Sequence, residues 1–354
     1  MTVIDRCPFK VGSLLSGALD AITDVAGVSV GHCTLDHHAI QTGVTVVRAH
    51  QASHYLNKVP AAATVINGFG KSVGLMQLVE LGVLETPIAL TNTFSVSAVA
   101  QAQIQQAFAN HPEIGRAWPT VNPLVFECND GYLNDIQAMR IEPAHYQQAF
   151  EHASPLFEQG AVGAGRGMSC FGLKGGIGSA SRLVSVASAN YTVGALVLSN
   201  FGKLQNLSWL GQPLGKRLVQ QAPRPLSQPP DKGSIIMLIA TDAPLDARQL
   251  RRLSTRAAVG LARTGSFFGH GSGDVALAFS TAYTLPALER EPMPALALLH
   301  EQQLDGLFEA AADAIEQSIM SSLWCARSVI GRDGHQRRAL RDLHDFKSDG
   351  ELIF

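Results

Sequence analysis

The run SIIMLIA at Ser234–Ala240 carries no polar side chain after its first residue. It reads as a strand that is apolar at consecutive positions, so neither face can be left to water. Such a strand needs cover on both sides, which only a layered fold supplies. The run is far short of the roughly 20 apolar residues needed to span a membrane. With 46% apolar and 16% charged residues, the chain of 354 has the means to build that cover. Its 27 basic and 29 acidic side chains leave a net charge of −2. That balance argues against nucleic acid or an anionic membrane as a partner, and the apolar content argues against disorder.

Around this strand the pattern alternates. Gly43–Arg48 and Ala61–Ile66 read as strands from their β-branched residues, and Lys71–Leu84 as a helix. A strand near Pro87–Thr91, a helix at Ser95–Asn110 closed before Pro112, a buried strand at Asn122–Glu127 and a helix at Glu142–Ser154 follow. Gly160–Arg182 is glycine-dense, and strands are expected at Leu183–Ala189 and Thr192–Leu198. Gln220–Lys232, with four prolines, reads as an exposed loop. Beyond it come a helix at Asp246–Arg263, a strand at Asp274–Ser280 and a long helix at Gln303–Cys325. Mixed elements of this kind imply an α/β or α+β layered single domain over 1–354, since a domain linker would not feed directly into the most buried strand.

Several familiar chemistries fail on spacing. Gly163, Gly165 and Gly167 are spaced GxGxG with no helix after them, and NGFGKS at Asn67–Ser72 lacks the first glycine of a phosphate-binding loop. The glycines suit close backbone packing instead. His32, Cys33, Asp36, His37 and His38 form no metal-ligating pattern, because adjacent strand residues point to opposite faces. Ordinary surface histidines are the simpler reading, and no metal or cofactor is expected. The helix carrying Arg248, Arg251, Arg252, Arg256 and Arg263 reads as a solvated face. Gly271–Ser272–Gly273 is not a nucleophile elbow, since a strand follows it. Cys7, Cys33, Cys128, Cys170 and Cys325 are scattered without a CxxC pair, and Asp5 and Arg6 interrupt any signal peptide. A soluble cytoplasmic protein is expected.

What remains is Gly233–Ser234, where the proline loop meets the apolar strand. A serine hydroxyl can attack the preceding carbonyl and exchange the amide for an ester. Glycine on the acyl side has no Cβ to obstruct that attack. Hydrolysis of the ester would bare the amine of Ser234, giving one residue both nucleophile and base. A bland reading, a Gly-Ser turn after a loop, accounts for the same two residues.

Longer segments bear on that choice. ITDVAGVSVGH (Ile22–His32), NGFGKSVGL (Asn67–Leu75), NDGYLND (Asn129–Asp135), GAGRGMSCFGLKGGIGSASR (Gly163–Arg182), VGALVLSNFG (Val193–Gly202), KGSIIMLIATDAPL (Lys232–Leu245), GSGDVALAFST (Gly271–Thr281) and GRDGH (Gly331–His335) run in order along the chain. Together they resemble the DmpA/BapA-type family of L-aminopeptidase/D-esterases and β-peptidyl aminopeptidases. The resemblance implies an N-terminal-nucleophile-like αββα sandwich that cuts itself before a serine. Here the cut would separate an α chain, 1–233, from a β chain, 234–354, which stay associated. It implies Ser234 as nucleophile, Asn200 and Tyr132 as oxyanion-pocket donors, and Ser272 with Asp274 as the pair that orients the nucleophile. Some relatives carry Glu where this chain has Asp274.

An aminopeptidase must also bind a substrate ammonium, and Glu127 or Asp130 is placed in sequence to supply the counter-charge. The implied substrates are small peptides, amides or esters, β- and D-configured ones included. The implied assembly is a homo-oligomer, a tetramer by family likeness. Acyl transfer or oligoamide hydrolysis, as in similarly built enzymes, would use a threonine where this chain has Ser234. An inactive binding protein would not need all of Ser234, Asn200, Tyr132, Ser272 and Asp274.

Overall fold

The computed structural model describes residues 7–186, 189–221 and 233–343. In chain order its longer strands begin with β1 (Ser29–His37), β2 (Ile40–Arg48), β3 (Asn57–Gly68), β4 (Ile88–Asn92) and β5 (Leu124–Cys128). They continue with β6 (Gly176–Val186), β7 (Ala189–Asn200), β8 (Ser234–Thr241) and β9 (Gly273–Ser280). A two-stranded hairpin, β10 (Val329–Ile330) with β11 (Gln336–Arg337), closes the described chain. The helices are α1 (Leu75–Leu81), α2 (Val96–Asn110), α3 (Pro143–Glu151), α4 (Leu214–Gln221), α5 (Ala247–Thr255), α6 (Ala257–Arg263) and α7 (Asp305–Trp324).

Two sheets stack face to face. One has the order β1-β2-β4-β5; the other runs β3-β9-β8-β7-β6, with Leu285–Pro286 and Val83–Leu84 added beside β3. β8 lies at the centre of the second sheet, antiparallel to β7 and parallel to β9. Its alternation explains the apolar run. Ile235, Met237 and Ile239 join the core shared with α5, α6 and α7, while Ile236, Leu238 and Ala240 join the core between the sheets. On the far side, Val44, Val46, Ala89 and Val125 meet Val96, Val99, Tyr146 and Ala149 of α2 and α3. The layers are therefore helix, sheet, sheet, helix. Each fully buried leucine or isoleucine of β8 contributes about 1.5–3 kcal/mol to holding the strand in place.

Several elements differ from their sequence expectation. The helix expected over Lys71–Leu84 is only Leu75–Leu81, because Gly74 and Gly82 at its ends have φ of 93° and 68°. Those left-handed residues stop the helix and turn Val83–Leu84 into a partner of β3. The helix expected over Asp246–Arg263 is two, α5 ending where the Arg256 amide bonds back to the Leu253 carbonyl in a tightened turn. Gln220 and Gln221, expected in the proline loop, end α4, and the rest of that loop lies outside the described residues. β1 was not foreseen, and His32 on it is no surface histidine, since its ring nitrogens meet Thr45 Oγ1 at 2.9 Å and the Glu158 carbonyl at 3.0 Å. His37 and His38 are exposed.

The glycine-dense stretch supplies β6, which begins seven residues earlier than the expected Leu183. There a Cβ on Gly178 would stand 1.9 Å from the Ser318 carbonyl of α7, so strand and helix pack backbone to backbone. The loop leading into β6 is tied by Lys174. This lysine is fully buried, and its Nζ donates to the carbonyls of Gly165 (2.9 Å), Met168 (2.8 Å) and Gly175 (2.8 Å). Burial holds its ammonium well below the usual lysine range. The interaction is still net structural, because removal would strand buried acceptors. Lys174→Met is expected to lower unfolding free energy by about 2–4 kcal/mol, read as a drop in the urea midpoint. An unchanged midpoint would show the loop to be held by other contacts.

Candidate active site

Of the expected site residues, Asn200, Ser234, Ser272 and Asp274 sit at one end of the central strands β7, β8 and β9. In the ladder Asn200 of β7 is directly opposite Ser234 of β8, and Ser234 is directly opposite Gly273 of β9. Asn200 and Ser234 share parity with Leu198 and Ile236, so both belong to the face between the two sheets. Both are nearly sealed from solvent, at 6% and 5% exposure.

The uncut junction is tightly held. Ser234 Oγ donates to the Gly233 carbonyl at 2.8 Å, which sets the hydroxyl beside the group it would attack. The Gly273 amide lies 3.3 Å from that same carbonyl oxygen and 3.3 Å from Ser234 Oγ. It is a donor at the position where negative charge would form, and sequence reasoning missed it. Gly233 is required for a reason other than the one foreseen. A Cβ there would lie 2.5 Å from Phe201 Cα and 2.7 Å from the Asn200 carbonyl, so the junction is pressed against the end of β7.

Asn200 is fixed at both ends of its amide. Its Oδ1 accepts from the Ser169 amide at 2.8 Å, and its Nδ2 donates to the Asn129 carbonyl at 2.9 Å. That orientation leaves one Nδ2 hydrogen for another acceptor. Ser272 Oγ donates to Asp274 Oδ1 at 2.6 Å, both residues being buried. They flank Gly273, one on each side along the strand. The turn that leads into them is pinned by Asn67 on β3, whose Nδ2 donates to the carbonyls of Gly269 (3.1 Å), His270 (3.2 Å) and Ser272. Asn67 was unforeseen as a site residue; its only signal was the long NGFGKSVGL match.

Tyr132 joins this group indirectly. It is half-buried, stacked on His335 with centroids 4.6 Å apart, and covered by the Arg337 guanidinium at 3.5 Å. Glu127 is the penultimate residue of β5, where Oε1 accepts from the Lys71 amide at 2.8 Å and Oε2 from the Thr93 hydroxyl. A Cβ on Gly70 would come within 3.5 Å of Glu127 Oε1 and 3.8 Å of Gly273 Cα, so this carboxylate neighbours the Gly273 strand end. Asp130 is placed differently. It lies beneath Gly167 of the glycine-dense loop and accepts from Asn134 Nδ2 at 3.1 Å. Burial pushes its carboxyl up to about 7. The Cys128 thiol between the two acids is raised well above its ordinary range, by burial and then by the charges of Glu127 and Asp274. Among the described residues no group of three or more His, Cys, Asp or Glu is arranged to hold a metal ion. No helix among them is long and apolar enough to cross a membrane.

A serine at the head of a central strand, with amide donors on both neighbouring strands inside a helix–sheet–sheet–helix stack, is the arrangement of an N-terminal-nucleophile hydrolase, and family membership makes the chain a serine-type aminopeptidase. The chain belongs to peptidase family S58, whose model matches residues 20–337. It is 36% identical over 336 residues to the β-peptidyl aminopeptidase BapA of Sphingosinicella xenopeptidilytica, covering 89% of this chain and 83% of that protein. A solved protein from Pyrococcus horikoshii OT3 superposes with a TM-score of 0.89 at 46% identity, covering 94% of each chain. The L-aminopeptidase D-Ala-esterase/amidase from Ochrobactrum anthropi, described as a variant of the Ntn hydrolase fold, superposes with a TM-score of 0.87 at 30% identity. It too is covered over 94% of each chain.

The Asp130 carboxyl gives a pH test. Its folded pKa of about 7 lies above the ordinary value of 3.8, so the folded chain keeps a proton that the unfolded chain has released. Its contribution therefore favours folding below about pH 4 and is lost progressively as pH rises to about 7. Asp130→Asn removes this titration. The stability difference between variant and wild type should move in favour of the variant from pH 4 to pH 7, measured by urea unfolding. A difference that stays flat with pH would place the shift elsewhere.

Proposed function

We propose that the chain cuts itself between Gly233 and Ser234 and then uses Ser234 to release the N-terminal residue from small peptides, amides or esters. The observation that carries the reading is the Ser234 hydroxyl bonded to the Gly233 carbonyl, with the Gly273 amide within reach of both. In the first step Oγ adds to the Gly233 carbonyl carbon, the C–N bond breaks, and the nitrogen takes up the proton to become the Ser234 α-amine. Water then hydrolyses the ester, leaving a carboxylate on Gly233 and a free hydroxyl on Ser234. The fragments are 1–233 and 234–354.

In the second reaction the same hydroxyl attacks the substrate carbonyl. The new α-amine, whose ordinary pKa is about 8, takes the hydroxyl proton and passes it to the leaving amine. Water hydrolyses the acyl-enzyme. The free Nδ2 hydrogen of Asn200 and the Gly273 amide are the donors for the oxyanion, with Tyr132 closing the pocket. Losing one such donor costs about 3–4 kcal/mol at the barrier. Ser272 and Asp274 orient the amine of Ser234. Glu127 is the carboxylate assigned to the substrate ammonium. Asp130 is less suited, because it lies under Gly167, is bonded to Asn134 and has its carboxyl raised by burial to about 7. Binding through one ammonium and one carbonyl does not enforce α-L geometry, so β- and D-configured residues are within the substrate class. The β-peptidyl aminopeptidase and L-aminopeptidase D-Ala-esterase activities for which the relatives are named agree with that breadth.

Ser234→Ala is expected to give one uncut chain of full mass without activity, read by intact-mass spectrometry and by release of p-nitroaniline from aminoacyl p-nitroanilides. A variant still split at this bond would overturn the mechanism. Glu127→Gln should raise KM for substrates with a free amine by about 10–100-fold, the range for losing a charged hydrogen bond, with kcat changed far less. Equal KM values would remove Glu127 from amine binding.

A further inference from the structure

The hairpin β10–β11 carries the GRDGH segment, to which the reaction as written gives no task. It is fastened to the turn that holds Tyr132. The Arg332 amide donates to the Leu133 carbonyl at 2.8 Å, Arg332 Nε to the Gly131 carbonyl at 2.7 Å, and His335 Nδ1 lies 2.9 Å from the Tyr132 carbonyl. Gly331 lies so close that a Cβ would stand 1.9 Å from the Leu133 carbonyl. At the end of this clamp Arg337 is nearly buried, at 9% exposure. Its guanidinium covers the Tyr132 ring at 3.5 Å, while Nε donates to Ser169 Oγ at 3.0 Å. Ser169 is the residue whose amide holds Asn200 Oδ1 at 2.8 Å.

From this arrangement we infer that Arg337 is a positioning residue that sets both side chains of the oxyanion pocket at once. The role rests on the reading of Asn200 and Tyr132 given above. One planar group fixes the tilt of the phenol through its face and the amide of Asn200 through Ser169. A lysine keeps the charge but has neither the flat face nor a donor at the Nε position. The connection also crosses the proposed cut, since Tyr132, Ser169 and Asn200 lie before Ser234 and Arg337 after it. The pocket is thus complete only while the two fragments stay docked through this hairpin.

The test uses the full chain, with the cut fraction measured by intact mass so that kcat is expressed per cut molecule. Arg337→Lys and Arg337→Met should lower kcat on an aminoacyl p-nitroanilide by about 10–100-fold, the scale of a small misplacement of catalytic groups. KM should stay within about threefold, because ammonium binding is untouched. In Arg337→Ala, added guanidinium ion should restore part of kcat where ammonium ion does not. The Tyr132→Phe/Arg337→Met pair should be no slower than the worse single variant, as expected of residues acting as a unit. Ser169→Ala, which keeps the amide on Asn200 and loses only the acceptor for Arg337, is the second arm should Arg337 variants fail to fold, and a fall in kcat at constant KM is expected there too. Arg337→Lys or Ser169→Ala with wild-type kcat, while Tyr132→Phe and Asn200→Ala are slow, overturns the positioning role and leaves the pocket reading intact. Wild-type kcat in Tyr132→Phe and Asn200→Ala, with Ser234→Ala dead, overturns both.

Discussion

The register of three adjacent strands is the constraint on which the site depends. Asn200, Ser234 and Gly273 face one another across β7, β8 and β9. A slip of one residue would turn Ser234 from the inter-sheet face to the helix-covered face and carry it away from the Asn200 amide. Two kinds of contact hold the register. Along β8 every apolar side chain is committed to one of two cores, so a slip would exchange them all. At the strand ends, backbone meets backbone. Gly233 presses on Phe201, and a Cβ on Gly273 would lie 2.8 Å from the Phe69 carbonyl. Those approaches leave no free length in which the strands could shift.

The same sealing bears unequally on the buried acids, because a buried carboxyl needs donors to replace water. Glu127 has the Lys71 amide and the Thr93 hydroxyl, and Asp274 has the Ser272 hydroxyl. Asp130, against the glycine-dense loop, accepts from Asn134 Nδ2, yet burial outweighs that donor and raises its carboxyl to about 7. Two acids three residues apart in sequence are thus separated in role by their surroundings. The local sequence, ECNDGY, treats them alike. Only the packing of Gly70 toward one and Gly167 toward the other tells them apart.

Much of the architecture was legible because β8 is apolar at every position between Ser234 and Thr241 and several helices are long or capped. Asp246, for example, accepts from the Gln249 amide at 2.7 Å, as the start of α5 demands. The glycine-dense stretch was not legible. Glycine carries no periodic signal, and here it serves both as loop, around Lys174, and as strand, in β6. The break in the helix after Lys71 was visible as Gly74 and Gly82 but was outweighed by the apolar pattern between them. At the site, Ser234 and Gly233 could be picked out by chemistry. Asn200 and Tyr132 came from family likeness, since nothing in LSNFG or DGYLN marks them locally. Asn67, the Gly273 amide and Arg337 act through contacts between segments far apart in the chain, which single-sequence reading does not encode.

The placement of the junction also explains how a peptide bond at the heart of a sheet can be spared. β8 and β9 both follow Ser234, yet they are enclosed by β7 on one side and β3 on the other, which precede it. A cut there would leave the apolar contacts of β8 in place and would free the chain end at Gly233, whose carbonyl meets the Gly273 amide at 3.3 Å and which lies against the end of β7. α7, also after the junction, stays buried against β6 and β7 through Ile315, Ile319 and Leu323. The core on each side of the junction is completed by the other, so after the proposed cut the association of the fragments would be the fold itself rather than a separate docking event. Loss of the covalent link would then cost little native structure and would leave an amine at the head of β8.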